Sequence, residues 1–95
     1  MSVPPTIIQE EELSASCTSS PSLPPSSLSW TVEVGADQRR IQPETEVRPA
    51  PGGGFVSSSR LVLRPGQGGR VRVTCRARYK DLELEEREDV EIISK

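Results

Sequence analysis

The sequence predicts an all-β fold, an antiparallel sandwich of about seven strands in two layers. Apolar and polar residues alternate in several short runs, prolines and glycines separate these runs, and no stretch has the periodicity of a helix. The only two cysteines and the only tryptophan, Cys17, Cys75 and Trp30, all lie inside alternating runs. This is the layout of a sandwich in which a tryptophan on an inner strand packs against a disulfide joining the two sheets.

One domain accounts for the whole chain. A length of 95 residues is close to the ~100 typical of this sandwich, so we take residues 1–95 as a single domain. Pro4 and Pro5 disfavour helix and interior strand pairing, which predicts that residues 1–5 form an extended, linker-like lead-in. A domain of this size buries a limited core, so a cross-link between its layers would stabilise it appreciably.

Five segments are predicted as strands, and a sixth as an irregular edge. The strands are residues 13–17, 28–34, 55–63, 70–79 and 84–93. The residues predicted to face the core are Leu13, Ala15, Cys17, Leu28, Trp30, Val32, Val34, Leu61, Leu63, Val71, Val73, Cys75, Ala77, Tyr79, Val90 and Ile92. Residues 38–54 lack periodicity and contain prolines and a glycine triplet, which predicts an irregular edge and a mobile loop.

The cysteines and the ends of the chain bear on the compartment. Two cysteines allow one internal bridge, Cys17–Cys75, and a formed bridge implies an oxidising compartment. The alternative is a pair of reduced, buried thiols in a cytosolic protein. The sequence shows neither a signal peptide nor a run long and apolar enough to span a bilayer. An extracellular location would therefore make this chain an excised ectodomain fragment from the outer side of the plasma membrane.

An enzyme is not expected from this composition. The chain has no histidine, which removes the commonest general base and the commonest zinc ligand. The glycines at 52–54 lack the lysine and helix of a phosphate-binding loop, and the glutamates at 10–12 and 85–88 form runs rather than convergent pairs. We expect no metal site, no cofactor and no nucleic-acid partner. The chain also has no asparagine, so no N-linked glycan is expected.

Charge is unevenly distributed along a chain whose net charge is only −2. In a hairpin of the strands 70–79 and 84–93, outward arginines would lie beside outward acids and form a self-neutralising ladder that discourages aggregation. The alternative is a basic face that binds an acidic protein or a sulfated glycan. The arginines that are candidates for such binding are Arg60, Arg64, Arg70, Arg72, Arg76 and Arg78. The first three of these have no acidic neighbours in sequence.

Aromatic residues are scarce, and this favours a supporting role. Protein interfaces concentrate tyrosine, tryptophan and arginine at their energetic centres. Trp30 and Tyr79 are assigned to the core together with Leu61, Leu63 and Val73, which leaves Phe55 as the one aromatic residue available at the surface. A module of this kind suits a spacer, or a junction with a neighbouring domain.

Several segments carry a resemblance to a known family. They are residues 5–7, 13–17, 28–30, 58–63 and 73–79, the last reading Val-Thr-Cys-Arg-Ala-Arg-Tyr. Together they resemble an immunoglobulin C2-type domain of the CD80-like set, found in B7 ligands, nectins, nectin-like adhesion molecules and other cell-surface receptors. Variable and intermediate domains usually carry Asp, Gly and Tyr before the second cysteine, where this chain has Gly69, Val71 and Val73. The missing tyrosine corner argues against both of those types.

The resemblance implies a non-catalytic extracellular module of an adhesion molecule or receptor, acting as a spacer or junction domain. The implied partners are neighbouring immunoglobulin domains of a membrane-anchored parent chain and another cell-surface protein. Two alternatives stay open. One is a ligand-binding domain that uses the arginines, which predicts heparin binding that falls steeply with salt. The other is an intracellular structural immunoglobulin domain, which predicts two free thiols under denaturing conditions without reductant.

Overall fold

The computed structural model describes residues 1–94, which form eight strands in two sheets. The strands are β1 (Thr6–Ile8), β2 (Leu13–Thr18), β3 (Ser27–Val34), β4 (Asp37–Ile41), β5 (Thr45–Pro49), β6 (Phe55–Leu63), β7 (Gly69–Tyr79) and β8 (Leu82–Ile93). The larger sheet has the order β1-β8-β7-β3-β4, and the smaller sheet has the order β2-β6-β5. Paired strands are antiparallel except β1 and β8, which run parallel. The predicted all-β sandwich is confirmed, with eight strands rather than about seven.

The core lies between the sheets and is built by alternation. Every second residue of β2, and of much of β3 and β7, is buried, because each strand presents one face to the opposite sheet. The buried apolar residues are Leu13, Ala15, Cys17, Leu28, Trp30, Val32, Leu61, Val71, Val73, Cys75, Val90 and Ile92. Leu63 and Ala77 are half-buried and pack against this cluster.

A disulfide and a hydrogen bond join the two sheets at the centre of the core. Cys17 on β2 is bonded to Cys75 on β7, with their Cα atoms 6.5 Å apart. Trp30 on β3 lies directly opposite Cys75 in the strand register and is fully buried. Its indole Nε1 donates a hydrogen bond to the Ser59 hydroxyl of β6 at 3.0 Å. The predicted inter-sheet disulfide is therefore confirmed, with the tryptophan beside it.

The edge strands differ from the sequence prediction. Residues 38–54 include β4, which pairs with β3, and β5, which pairs with β6. The prediction of an irregular edge is wrong for these two strands, because their backbones pair while their side chains stay largely exposed and polar. Val34, predicted to face the core, is 42% exposed, since it ends β3 beside the turn at residues 35–36.

The N-terminal residues contact both sheets. Ser2 and Ser16 of β2 exchange two backbone hydrogen bonds of 2.8 and 2.9 Å, whereas β1 pairs with β8 of the larger sheet. Pro4 and Pro5 lie between these two pairings, where the chain passes from the edge of one sheet to the edge of the other. The side chains of Met1 and Val3 pack against the core.

The long axis of the molecule, 47 Å, separates two groups of connections. The upper end consists of the loop 19–26, the turn 50–54 and the turn 80–81; a backbone bridge joins Ser22 to Phe55. The lower end consists of the turn 35–36 and the connection 64–68. Gln9 donates a side-chain hydrogen bond to the Gly66 carbonyl at 2.8 Å there.

Candidate functional site

The six candidate arginines do not form one basic face. Arg60 is exposed on the outward face of β6, in the smaller sheet. The other sheet carries Arg70, Arg72, Arg76 and Arg78 on the outward positions of β7. The sheets pack back to back, so these two groups point in opposite directions. Arg64 follows the end of β6, at the lower end of the molecule.

The outward arginines of β7 are opposed by acids of β8. Arg72 donates a hydrogen bond to Asp89 at 3.0 Å, and Arg76 binds Glu85 through Nε at 2.9 Å and Nη2 at 2.5 Å. Register places Arg70 opposite Glu91 and Arg78 opposite Glu83. The ladder of opposite charges predicted from the hairpin is present.

Hydrogen bonds within this ladder change two pKa values. The hydrogen bond from Arg76, followed by one from Arg87, lowers the pKa of the Glu85 carboxyl below its ordinary value. The hydrogen bond to Asp89 raises the pKa of Arg72. Both pairs are exposed and are screened by salt, so each contributes little to the free energy of unfolding. Their main effect is to favour this register of β7 against β8 over a shifted one.

An apolar surface, here called the upper apolar edge, consists of Ala77, Tyr79, Leu82 and Leu84. Register places Leu84 opposite Ala77 and Leu82 opposite Tyr79 on the inward side of the β7–β8 hairpin. β2 of the smaller sheet ends at Thr18, and the loop that follows it does not cover these leucines. Leu82 is therefore 67% exposed and Leu84 71%.

The upper apolar edge forms one wall of a cavity of about 330 Å³. The loop 18–22 forms the opposite wall, and the Cys17–Cys75 disulfide lies at its base. Half-buried Tyr79 fixes the wall, because its hydroxyl donates a hydrogen bond to the Leu23 carbonyl at 2.5 Å. The arrangement offers shape and apolar area, with Glu86 and the serines of the loop as its polar lining.

The family of the chain follows from these features and from comparison with known proteins. Residues 2–86 match the family of CD80-like C2-set immunoglobulin domains. The chain belongs to this family. No curated protein matches it. The match confirms the resemblance carried by the cysteine and tryptophan segments. C2-set domains of this kind are generally non-catalytic, and those with a disulfide are typically extracellular.

The residues of the C2-set domain that could ligate a metal ion are dispersed in the part of the chain that the structure describes. No three His, Cys, Asp or Glu residues converge as a metal site in this part of the chain. Ser57 has a buried hydroxyl without a hydrogen-bond partner, but the chain has no histidine to activate it. None of the residues that the structure describes forms a helix long and apolar enough to cross a membrane.

Sequence reasoning missed two surface features of the C2-set domain. It placed Leu82 between a turn at 80–81 and a strand at 84–93 and assigned neither Leu82 nor Leu84 an inward position, because both leucines alternate with acidic residues. Arg39 was missed because its segment lacks apolar periodicity. The pair Arg39-Arg40 inside a strand was the available signal: alternation must direct one of the two inward.

Proposed function

We propose that this C2-set domain is a non-catalytic extracellular module of a cell-surface adhesion molecule or receptor. It acts as a spacer and joins a neighbouring domain of the parent chain through the upper apolar edge. The observation that carries the proposal is the exposure of Leu82 and Leu84 beside a cavity at one end of the sandwich. Contiguous apolar surface of this kind favours contact with another protein surface.

The rest of the surface supports a spacer. The outward face of the larger sheet carries Arg–acid pairs rather than exposed aromatic residues, and such pairs contribute little binding energy because each cation already has a partner. The bonded Cys17–Cys75 pair supports an oxidising compartment over the intracellular alternative. The alternative of a basic ligand-binding face has weaker support, since the candidate arginines lie on opposite sides.

The test compares the isolated domain with a chain that also contains the domain adjoining it in the parent. We expect amide hydrogen exchange of residues 77–84 to slow in the longer chain, because contact would exclude water from this edge. The double variant Leu82→Ser, Leu84→Ser should restore the exchange rate of the isolated domain.

The matched control is Val62→Ser. Val62 is 50% exposed on the outward face of β6, away from the upper apolar edge, and its replacement should leave the protection of residues 77–84 unchanged. Equal exchange rates at residues 77–84 in the isolated domain and in the longer chain would overturn the proposed junction.

A further inference from the structure

The sandwich is open along the lower half of one side. β5 pairs with β6 only from Thr45 opposite Ser59 to Pro49 opposite Phe55. The segment 60–63 of β6 therefore has no strand neighbour on that side. β4 faces it across the gap and is itself an edge strand, paired only with β3. Two unpaired strand edges border the opening.

The opening contains a cavity of about 380 Å³, here called the lower cleft. Its apolar lining is contributed by Val32, Val34, Ile41, Leu63 and Val71. Its polar lining is contributed by Asp37, Arg39, Arg64 and Gln67. An apolar floor with a charged rim is the composition of a site that holds both an aliphatic group and a counter-charge.

Arg39 occupies an inward position of its strand. Register places it opposite Val32, whose side chain is in the core, and it places the neighbouring Arg40 opposite Thr31, away from the core. Arg39 forms no salt bridge with any residue that the structure describes. An inward charge protects an edge from aggregation, and here it also leaves a guanidinium over the apolar floor.

A second cation borders the same cleft. Arg64 lies 3.8 Å from Glu12 through its Nη2, a long contact between two exposed side chains. Among the residues that line the cleft, Arg39 and Arg64 are cations and Asp37 is the one carboxylate. Glu12, outside the lining, contacts Arg64 alone, so Arg39 is the cation that remains without an ion-pair partner among the described residues.

We propose that the lower cleft binds an extended segment of a partner protein in which every second residue is aliphatic or acidic in turn, so that both kinds of side chain lie on one face of the segment. The segment adds as a strand to the free edge 60–63 of β6, where backbone groups lack a strand partner. Its aliphatic side chains contact the floor, and Arg39 and Arg64 extend along the rim to its carboxylates. The site is separate from the upper apolar edge, so it stands independently of the proposed function.

The test uses a fluorescein-labelled peptide that repeats Leu-Ser-Glu-Ser as the probe, which puts Leu and Glu on one face of a strand, with fluorescence anisotropy as the readout. We expect saturable binding to the wild-type domain and about five- to tenfold weaker binding to Arg39→Gln, since one charge-assisted contact is lost. The matched control, Arg40→Gln, removes the same charge from the same strand on the outward side. Its affinity should stay within about twofold of wild type.

Further measurements distinguish the other occupants. A peptide that repeats Leu-Ser-Lys-Ser should not bind, and amide NMR shifts on adding the acidic probe should concentrate in residues 60–67. Equal weakening by Arg39→Gln and Arg40→Gln would show general charge attraction and overturn the proposal, as would absence of binding. A dimer of the domain that Arg39→Gln dissociates would instead assign the cleft to a second copy. Circular dichroism verifies that each variant is folded.

Discussion

At the scale of single residues, Trp30 both fills the core and has a hydrogen-bond partner for its buried N–H group. The ring is fully buried beside the disulfide, and its Nε1 has the Ser59 hydroxyl as partner across the two sheets. A buried indole N–H without a partner costs free energy, and the Ser59 hydroxyl removes that cost by accepting its hydrogen bond. The pair explains why a polar residue occurs among the inward positions of β6.

Replacing Trp30 by Phe should lower the free energy of unfolding by about 2–4 kcal/mol, because volume and a buried hydrogen bond are lost together. Ser59→Ala removes only the hydrogen bond and should cost about 1–3 kcal/mol. Urea denaturation followed by far-ultraviolet circular dichroism measures both. A cost for Ser59→Ala equal to zero would contradict the role assigned to the bond.

Glu85 makes stability depend on pH in a defined direction. Its pKa in the folded state is lowered from the ordinary value of 4.5 by hydrogen bonds from Arg76 and Arg87. A lowered folded pKa stabilises the fold above the unfolded pKa, and this contribution is lost as pH falls through the folded pKa. Glu85→Gln should therefore reduce the thermal midpoint at pH 7 but leave it unchanged well below the folded pKa.

The control for this prediction is Glu88→Gln. Glu88 lies on the same strand, carries the same charge and forms no salt bridge within residues 1–94. Its replacement should produce no comparable pH-dependent difference in thermal midpoint. If both variants respond alike, the effect belongs to net charge and not to the Arg76 pairing.

At the scale of elements, the predictable strands are those that depend on burial. β2, β3, β6 and β7 alternate because one face of each meets the opposite sheet, so the sequence records the pattern. β1, β4 and β5 are edge strands held mainly by backbone pairing, and backbone pairing leaves little trace in residue type. The charge ladder was predictable from a hairpin register, whereas the lower cleft depends on where β5 ends.

The turn 50–54 approaches the backbone of the loop 19–26 most closely at one glycine, next to the bridge between Ser22 and Phe55. Gly54 has a φ of +75°, and a Cβ there would lie 3.1 Å from the Ser22 carbonyl oxygen. Gly54→Ala should therefore destabilise the domain by about 1–3 kcal/mol, measured by urea denaturation.

Gly52→Ala is the matched control. Gly52 lies in the same turn at an ordinary φ, and a Cβ there meets no atom within 4 Å. Its replacement should change stability by less than about 0.5 kcal/mol. Comparable losses in Gly52→Ala and Gly54→Ala would show that the close approach to Ser22 is unimportant.

At the scale of the whole molecule, the acids and the arginines of the larger sheet balance one another, and the candidate arginines are divided between the two sheets. The net charge is −2, and acids of β8 face the arginines of β7 in register. A polyanion that approaches the larger sheet therefore meets the carboxylates of β8 beside the arginines of β7. We therefore expect the domain to attract such a ligand only weakly.

We expect the domain to elute from a heparin column below about 0.15 M salt, because screening at that ionic strength acts over about 8 Å. Arg70→Gln should elute at the same position as the control Arg48→Gln, whose arginine is paired with Glu46. Retention well above that salt concentration, lost in Arg70→Gln alone, would favour the ligand-binding alternative over the spacer.

The parallel pairing of β1 with β8 gives the domain a mechanical property. Traction applied to Met1 and Ser94 in opposite directions loads the contacts between residues 6–8 and 91–93 in shear, so they resist together instead of opening one by one. If the pairing of β1 with β8 breaks, the Cys17–Cys75 bond still prevents the chain between these two cysteines, a separation of 58 residues, from being extended. Extension of the pulled domain is then limited to the residues outside the loop that the disulfide closes.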